Sequence, residues 1–135
     1  MTTPYLLTLS ANADRERLTP YLTALSELYA VTELAFPMAD PLSNGVADKV
    51  ENATAAILFI SRNAVENSLL RASVSHLLHT DTPLLVCYLE EIDLPAGLQF
   101  ELSLCPEFYP NRHKTLSSAV DTLKNAPYIK KAFEE

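Results

Sequence analysis

One apolar run, Ala55-Ala56-Ile57-Leu58-Phe59-Ile60, stands at the centre of this chain and stops at Ser61. It is continuously apolar rather than alternating, which is typical of a strand buried on both faces of a sheet. A second run of the same kind follows at residues 84–89. Between the two runs, apolar residues recur with helical spacing at Leu69, Leu70, Val74, Leu77 and Leu78. Together these segments predict the strand–helix–strand unit of a parallel α/β domain.

The same alternation extends toward the N-terminus. Residues 5–10 and 31–36 predict two further strands. Residues 11–17 are polar and predict a loop, and Thr19-Pro20 predicts a helix start, because the missing N–H of proline costs nothing in a first turn. Apolar spacing over residues 46–53 predicts a short helix before the central strand.

The C-terminal third is less regular. Residues 98–104 allow either a short helix or a strand, and residues 116–123 predict a last long helix. The alternating order predicts an α/β fold, a flavodoxin-like three-layer sandwich with a central parallel sheet of about five strands and helices on both faces. We expect residues 1–126 to form this domain and residues 127–135 to be a C-terminal helical extension or the start of a linker.

The net charge and the cysteine content indicate which classes of partner and which cellular compartment to expect. The chain has 135 residues, which fits one domain, and a formal net charge of −7. This charge repels phosphate, so neither nucleic acid nor an anionic membrane is expected as a partner. The two cysteines, Cys87 and Cys105, make neither a zinc spacing nor a disulfide framework, and the first residues lack the regions of a signal peptide. We therefore expect a cytoplasmic protein.

Polar residues follow the predicted first and third strands. In an open parallel sheet of flavodoxin-like order, ligands bind at the carboxyl ends of the strands, in the crevice between strands one and three. The ligand-binding candidates there are Ser10, Asn12, Arg15, Ser61, Arg62 and Asn63, with Asp14 among them. The two arginines favour a phosphate or carboxylate ligand. Residues of these types also serve ordinary turns, so both interpretations stay open.

Missing residue types exclude several familiar sites. Phosphate-cradling loops need glycine, and the chain has only Gly45 and Gly97. A phosphoacceptor domain needs an aspartate where Ser61 ends the third strand. His76 and His79 share one predicted helix, but no nearby carboxylate or cysteine completes a metal set, so no metal is predicted. The serines of this region lack the glycine-flanked turn of a nucleophile.

The first part of the chain resembles a Toll/interleukin receptor (TIR) domain of the kind common in bacteria. Residues 5–10, followed by Asp14-Arg15-Glu16, look like the first strand of that family, which ends in serine before a charged loop. Asp40-Pro41-Leu42 and Asn44-Gly45 resemble its BB loop, the segment between the second strand and the next helix.

The central part continues the resemblance. Residues 57–61, followed by Asn67-Ser68-Leu69-Leu70, are similar to the family pattern of an apolar strand ending in serine, a short loop, and a serine that opens a helix. Residues 83–86 fit the next strand, so the resemblance covers roughly residues 5–123. It implies a flavodoxin-like fold and self-association, or binding to other TIR domains, through the BB loop and its neighbouring helices. The residues implied for this interaction loop are Pro37, Asp40, Pro41, Leu42, Asn44 and Gly45.

Many TIR domains also cleave NAD at the nicotinamide glycosidic bond, using a glutamate near the start of the helix after the third strand. The resemblance places that position at Ser73. Breaking the bond builds positive charge on the ribose, which a carboxylate stabilises and a neutral hydroxyl does not. The nearest carboxylate, Glu66, precedes the helix and is the weaker alternative.

Two classes of function therefore stand against each other. The first is a non-enzymatic TIR-like interaction and signalling module, for which no cofactor is expected. The alternative is an NAD-cleaving TIR enzyme with a relocated catalytic carboxylate. Between them lies a TIR domain that senses NAD or an ADP-ribose-like nucleotide without hydrolysing it.

Overall fold

The structure, a computed structural model, describes residues 4–37 and 45–134. In this part of the chain one parallel sheet has the strand order β2-β1-β3-β4-β5. Its strands are β1 (Leu6–Ala11), β2 (Val31–Phe36), β3 (Ala55–Ile60), β4 (Leu84–Tyr88) and β5 (Glu107–Phe108). The order reverses between β1 and β3, as the sequence predicts, and the flavodoxin-like fold is confirmed.

Helices connect the strands and cover both faces of the sheet. They are α1 (Arg15–Ser26), α2 (Val46–Glu51), α3 (Arg62–Val65), α4 (Ser68–Leu78), α5 (Ala96–Glu101), α6 (Leu116–Lys124) and α7 (Pro127–Ala132). Short 3-10 turns lie at Asn12–Asp14 and Pro110–Arg112. Within the described residues, no helix is both long enough and apolar enough to cross a membrane.

The core has two halves, one on each face of the sheet. Successive side chains of a strand point to opposite faces, so Leu58 packs with α2, α4 and α5, whereas Ile57 and Phe59 pack with α1, α6 and α7. All three side chains are fully buried. The side chain of Ile129 in α7 is fully buried as well, so α7 packs onto the domain.

Two boundaries differ from the sequence prediction. The first helix begins at Arg15 rather than at Thr19-Pro20, and the predicted loop over residues 11–17 is a 3-10 turn that runs directly into it. Pro20 therefore lies inside α1. The predicted loop after the third strand contains α3, because the hydroxyl of Ser61 accepts a hydrogen bond from the Ala64 N–H at 3.1 Å and caps this short helix.

The fifth strand is short because prolines flank it. Proline has no N–H to donate to a strand pair, and Pro106 and Pro110 stand on either side of Glu107–Phe108. Residues 98–104, left open between helix and strand, contain the end of α5. The sheet edge at β4 and β5 is consequently built largely from loop residues.

Candidate functional site

A buried carboxylate occupies the crevice between the ends of β1 and β3. The Asp14 side chain accepts a hydrogen bond from the hydroxyl of Ser61, which follows β3. It also accepts from the Arg17 guanidinium at 2.8 Å and from the Asn63 amide at 3.2 Å. Asp14 is only 3% exposed. Three donors thus satisfy a charge that would otherwise be costly to bury.

The end of β4 completes this arrangement. Glu90 lies 3.4 Å from the Arg17 guanidinium and accepts a hydrogen bond from the Arg62 backbone N–H at 2.6 Å. We call Asp14, Arg17, Ser61, Asn63 and Glu90 the switch-point cluster. It holds two carboxylates and one guanidinium, so the position where this fold binds ligands is filled by the chain's own groups and carries excess negative charge.

The hydrogen bonds of Asp14 also set its protonation. Burial by itself raises the pKa of this carboxyl, but the hydrogen bonds from Ser61, Arg17 and Asn63 together outweigh it and hold the pKa below its usual value. Asp14 is therefore ionised at neutral pH. Because Ser61 both donates to Asp14 and caps α3, one hydroxyl joins the ends of β1 and β3.

The sequence-predicted ligand residues separate into two groups. Ser61 and Asn63 meet at Asp14, as described above. Ser10 is buried, Asn12 is exposed, and Arg15 pairs with Glu33 of β2 at 3.2 Å, away from the crevice. The Arg62 side chain is exposed, and only its backbone N–H joins the cluster. Ligand binding by these residues stays a prediction.

Two members of the cluster were missed by the sequence analysis. Arg17 lies three residues after Asp14, a spacing that brings side chains together on a helical turn. Glu90 follows the fourth strand directly, and its part in the cluster could have been inferred once β4 was placed beside β3. Both signals are weak in the sequence, since they depend on where the first helix begins and on strand order.

A groove of about 340 Å³ lies between α2 and α4 on one face of the domain. Ser73, the position that the TIR resemblance assigns to the catalytic glutamate, contributes to its wall and is 6% exposed. The Ser73 hydroxyl donates to the Leu69 carbonyl of its own helix at 3.0 Å. Leu69, Ala72 and Val46 make the rest of this wall mostly apolar.

The carboxylates near the groove differ from the sequence expectation. Glu66 is exposed at the end of α3 and does not line the groove. Asp48 of α2 does line it and is exposed. At the rim, His76 pairs with Glu51 at 3.0 Å and thereby links α4 to α2. Asp48 was not singled out from the sequence, because only the packing of α2 against α4 brings it to the groove.

The predicted interaction loop is described only at its two ends. Asp40, Pro41, Leu42 and Asn44 lie outside the described residues. Pro37 follows a cis peptide bond, and Gly45 precedes α2 with a positive φ of 64°, a conformation that favours glycine. Gly45 also lines the groove, to whose wall Ser73 contributes.

A larger cavity, of about 710 Å³, lies beyond the ends of β4 and β5. One wall is aromatic: the rings of Tyr88 and Tyr109 stack with centroids 4.8 Å apart, and the Arg112 guanidinium lies 3.8 Å from the Tyr109 centroid. Its carboxylates are Glu91, Asp93 and Glu107.

The tyrosine wall is held in place by its neighbours. The Tyr109 hydroxyl donates to Glu107. Burial first, and then the negative charge of Glu107, raise the pKa of Tyr88 to about 12. Both phenols are therefore neutral at physiological pH, and the charge of this cavity comes from its carboxylates and Arg112. We call it the β4–β5 cavity.

A metal or a nucleotide would need specific ligand groups in these regions. Among the described residues, no three potential metal ligands cluster, and His76 and His79 bond Glu51 and the Ser75 carbonyl instead. The phosphates of NAD or a flavin need cations or free backbone N–H groups. No lysine or arginine is among the described residues that line the α2–α4 groove, and the arginine of the switch-point cluster is bound within the cluster. Binding of NAD or an ADP-ribose-like nucleotide stays a prediction.

Comparison with solved structures finds proteins that share this fold. No protein-family model matches the chain, and no curated protein does. The TIR domain of the Toll-related receptor TRR-2 from Hydra magnipapillata is similar over 78% of this chain and 84% of its own, with 14% identity and a TM-score of 0.59. The RPS4 and RRS1 TIR domain heterodimer is similar over 93% of this chain and 96% of the matched chain, with 16% identity and a TM-score of 0.64.

This chain has a TIR-like fold. A flavodoxin-like domain from Synechococcus is equally similar in shape, with a TM-score of 0.64 and 12% identity over 92% of this chain and 94% of its own. Identities this low establish the shared fold and no more. Function must therefore be argued from the groove, the cluster and the cavity.

Proposed function

We propose that this TIR-like domain is a non-enzymatic protein–protein interaction and signalling module that self-associates or binds other TIR domains. The observation that carries the proposal is the state of Ser73. At the position of the family's catalytic glutamate stands a nearly buried hydroxyl that is hydrogen-bonded within its own helix. Such a group supplies no negative charge to a developing cation on ribose.

The α2–α4 groove supports the same proposal. Its wall is mainly apolar, and Leu69 on α4 is 37% exposed although it is a large apolar residue. Leaving apolar surface in water is unfavourable, so a groove of this kind gains free energy when a partner covers it. Gly45, the last residue of the interaction loop, lines the groove.

We propose the class of partner from a structural neighbour of this chain. The RPS4 and RRS1 TIR domains are known as a heterodimer, and one of them is a structural neighbour of this chain. We extend pairing between TIR domains to this chain on that basis. We further propose that the domain is of the bacterial type and lies in the cytoplasm, because both of its cysteines are free thiols.

One observation favours the enzymatic alternative. Asp48 is a carboxylate at the wall of the groove that contains Ser73. NAD cleavage with a relocated carboxylate would therefore use Asp48 rather than Glu66, which lies outside the groove. This second candidate is tested separately.

Analytical ultracentrifugation over a wide concentration range tests the association. We expect the purified chain to assemble as its concentration rises, and Leu69→Arg to weaken assembly by placing a charge on the groove wall. Leu28→Arg is the matched control, because Leu28 is 47% exposed and does not line the groove. A chain that stays monomeric at millimolar concentration and binds no TIR domain would contradict the proposal.

Release of nicotinamide from NAD tests the enzymatic alternative at high protein concentration. We expect no release above the rate of a buffer blank. Turnover that is lost in Asp48→Asn or Glu66→Ala, but kept in the control Asp81→Asn on an exposed turn, would establish the enzyme instead.

A further inference from the structure

We infer that the β4–β5 cavity of one copy binds the exposed face of α7 of a second copy, through the paired lysines Lys130 and Lys131. This inference rests on the proposed self-association and names a contact for it. The two surfaces lie on one chain but differ in charge, in shape and in the half of the domain to which they belong.

The described lining of the cavity holds three carboxylates and one guanidinium, so its net charge is negative. Among the described residues, neither Glu91 nor Asp93 has a lysine, arginine or histidine nitrogen within 4.0 Å, and both are exposed. The one guanidinium of the lining, Arg112, lies against the ring of Tyr109. An incoming ammonium group therefore finds carboxylates that are not already neutralised.

The helix α7 presents the opposite charge. Lys130 and Lys131 form the only pair of lysine or arginine residues that are adjacent in the sequence. Both are exposed, and in the described part of the chain neither forms an ion pair. In a chain with a net charge of −7, such a concentration of positive charge is the natural complement of an acidic cavity.

Apolar side chains accompany the charges on both surfaces. Gln99 and Ser103 line the cavity, and the residues that follow them, Phe100 and Leu104, are 83% and 96% exposed. Near the start of α7, Tyr128 is 42% exposed. Large apolar groups in water on both surfaces would be covered by the same contact, which adds apolar burial to charge pairing.

The two surfaces adjoin different halves of the core within one copy. The buried side chain of α7, Ile129, belongs to the half of the core that contains α1 and α6. The cavity residues Leu94 and Leu102 pack with the other half. The contact therefore forms between copies. It joins different patches, so when each pair of copies forms one such contact, repetition of the contact builds a ring or an open chain.

A charge-swap experiment tests the contact. Lys130→Glu/Lys131→Glu and Glu91→Lys/Asp93→Lys should each weaken self-association by roughly tenfold or more, because like charges then face each other. Mixing the two variants should restore association, since each supplies the complement that the other lacks. Both variants keep a net negative charge, so bulk attraction between them cannot produce this rescue.

A control variant makes the result specific. Arg71→Glu/Lys114→Glu changes the net charge by the same amount at two cations outside α7, neither of which forms an ion pair in the described part of the chain, and should assemble more strongly than Lys130→Glu/Lys131→Glu. Equal weakening in the control, or a mixture that does not associate, would overturn the inference. If the wild type assembles and both swapped variants assemble equally well, the inference fails while the proposed function stands. A wild type that never assembles and binds no TIR domain removes the proposed function itself.

Discussion

Two neighbouring glutamates, Glu90 and Glu91, follow β4 and lie in two different environments. Glu90 follows β4 and enters the switch-point cluster, where the Arg17 guanidinium and a backbone N–H contact it. Glu91, the next residue, lines the β4–β5 cavity, where among the described residues no cation lies within 4.0 Å of it. The first carboxylate is satisfied by its own chain, and the second is left for another molecule.

The difference between Glu90 and Glu91 indicates which surfaces of this domain are open to a ligand or partner. The crevice between β1 and β3, where open parallel sheets bind ligands, is used here to join strand ends through Asp14. Polar groups that satisfy one another stabilise the fold and leave little for a ligand. Among the described residues, Glu91 and Asp93 of the cavity and Asp48 of the α2–α4 groove form no ion pair, so these are the surfaces on which function is proposed.

The largest expected effect of a substitution lies in the cluster. Asp14→Ala should lower the free energy of unfolding by about 2–3 kcal/mol, because it leaves the buried Ser61 hydroxyl and the Asn63 amide without their acceptor. Urea denaturation measures the change. Asp121→Ala, on an exposed turn of α6, is the control and should stay within about 0.5 kcal/mol. A similar small change in Asp14→Ala would show that the cluster contributes nothing to stability.

A smaller effect should follow from pH. The folded pKa of Asp14 lies below its unfolded value, so its ionisation stabilises the fold at pH above the unfolded value. That contribution is lost as the pH falls through the folded pKa, since protonation removes the charge that the Arg17 guanidinium contacts. Urea titrations between neutral and acid pH should therefore show a shallower decline for Asp14→Asn than for the wild type. Parallel declines would refute this assignment.

The smallest effect is expected in the cavity. Asp93→Asn should change the free energy of unfolding by no more than about 0.5 kcal/mol, and in the stabilising direction if it changes at all, because it removes like-charge repulsion without breaking an ion pair. Thermal unfolding of the two proteins makes the comparison. Marked destabilisation would mean that Asp93 has a structural partner and would remove the contrast with Asp14.

The sheet could be predicted because its strands are local patterns. Continuous apolar runs such as Ala55–Ile60 report burial on both faces, and their alternation with helical spacing restricts the fold to a covered parallel sheet. The helix start at Arg15 was missed because two of the three partners of the preceding residue, Asp14, lie far along the chain, at Ser61 after β3 and at Asn63 in α3.

The amino-acid pattern thus predicted the α/β class and, through the fold resemblance, the strand order that the structure confirms, whereas the assignment of Ser73 to the family's glutamate position stays a prediction. Contacts between distant residues required the folded chain. Asp14 and Ser61 are 47 positions apart, and Arg17 and Glu90 are 73 apart, so neither pair is visible until β1, β3 and β4 lie side by side. Local spacing encodes which face of a strand or helix is buried, whereas the partner of a buried or exposed charge depends on which elements become neighbours.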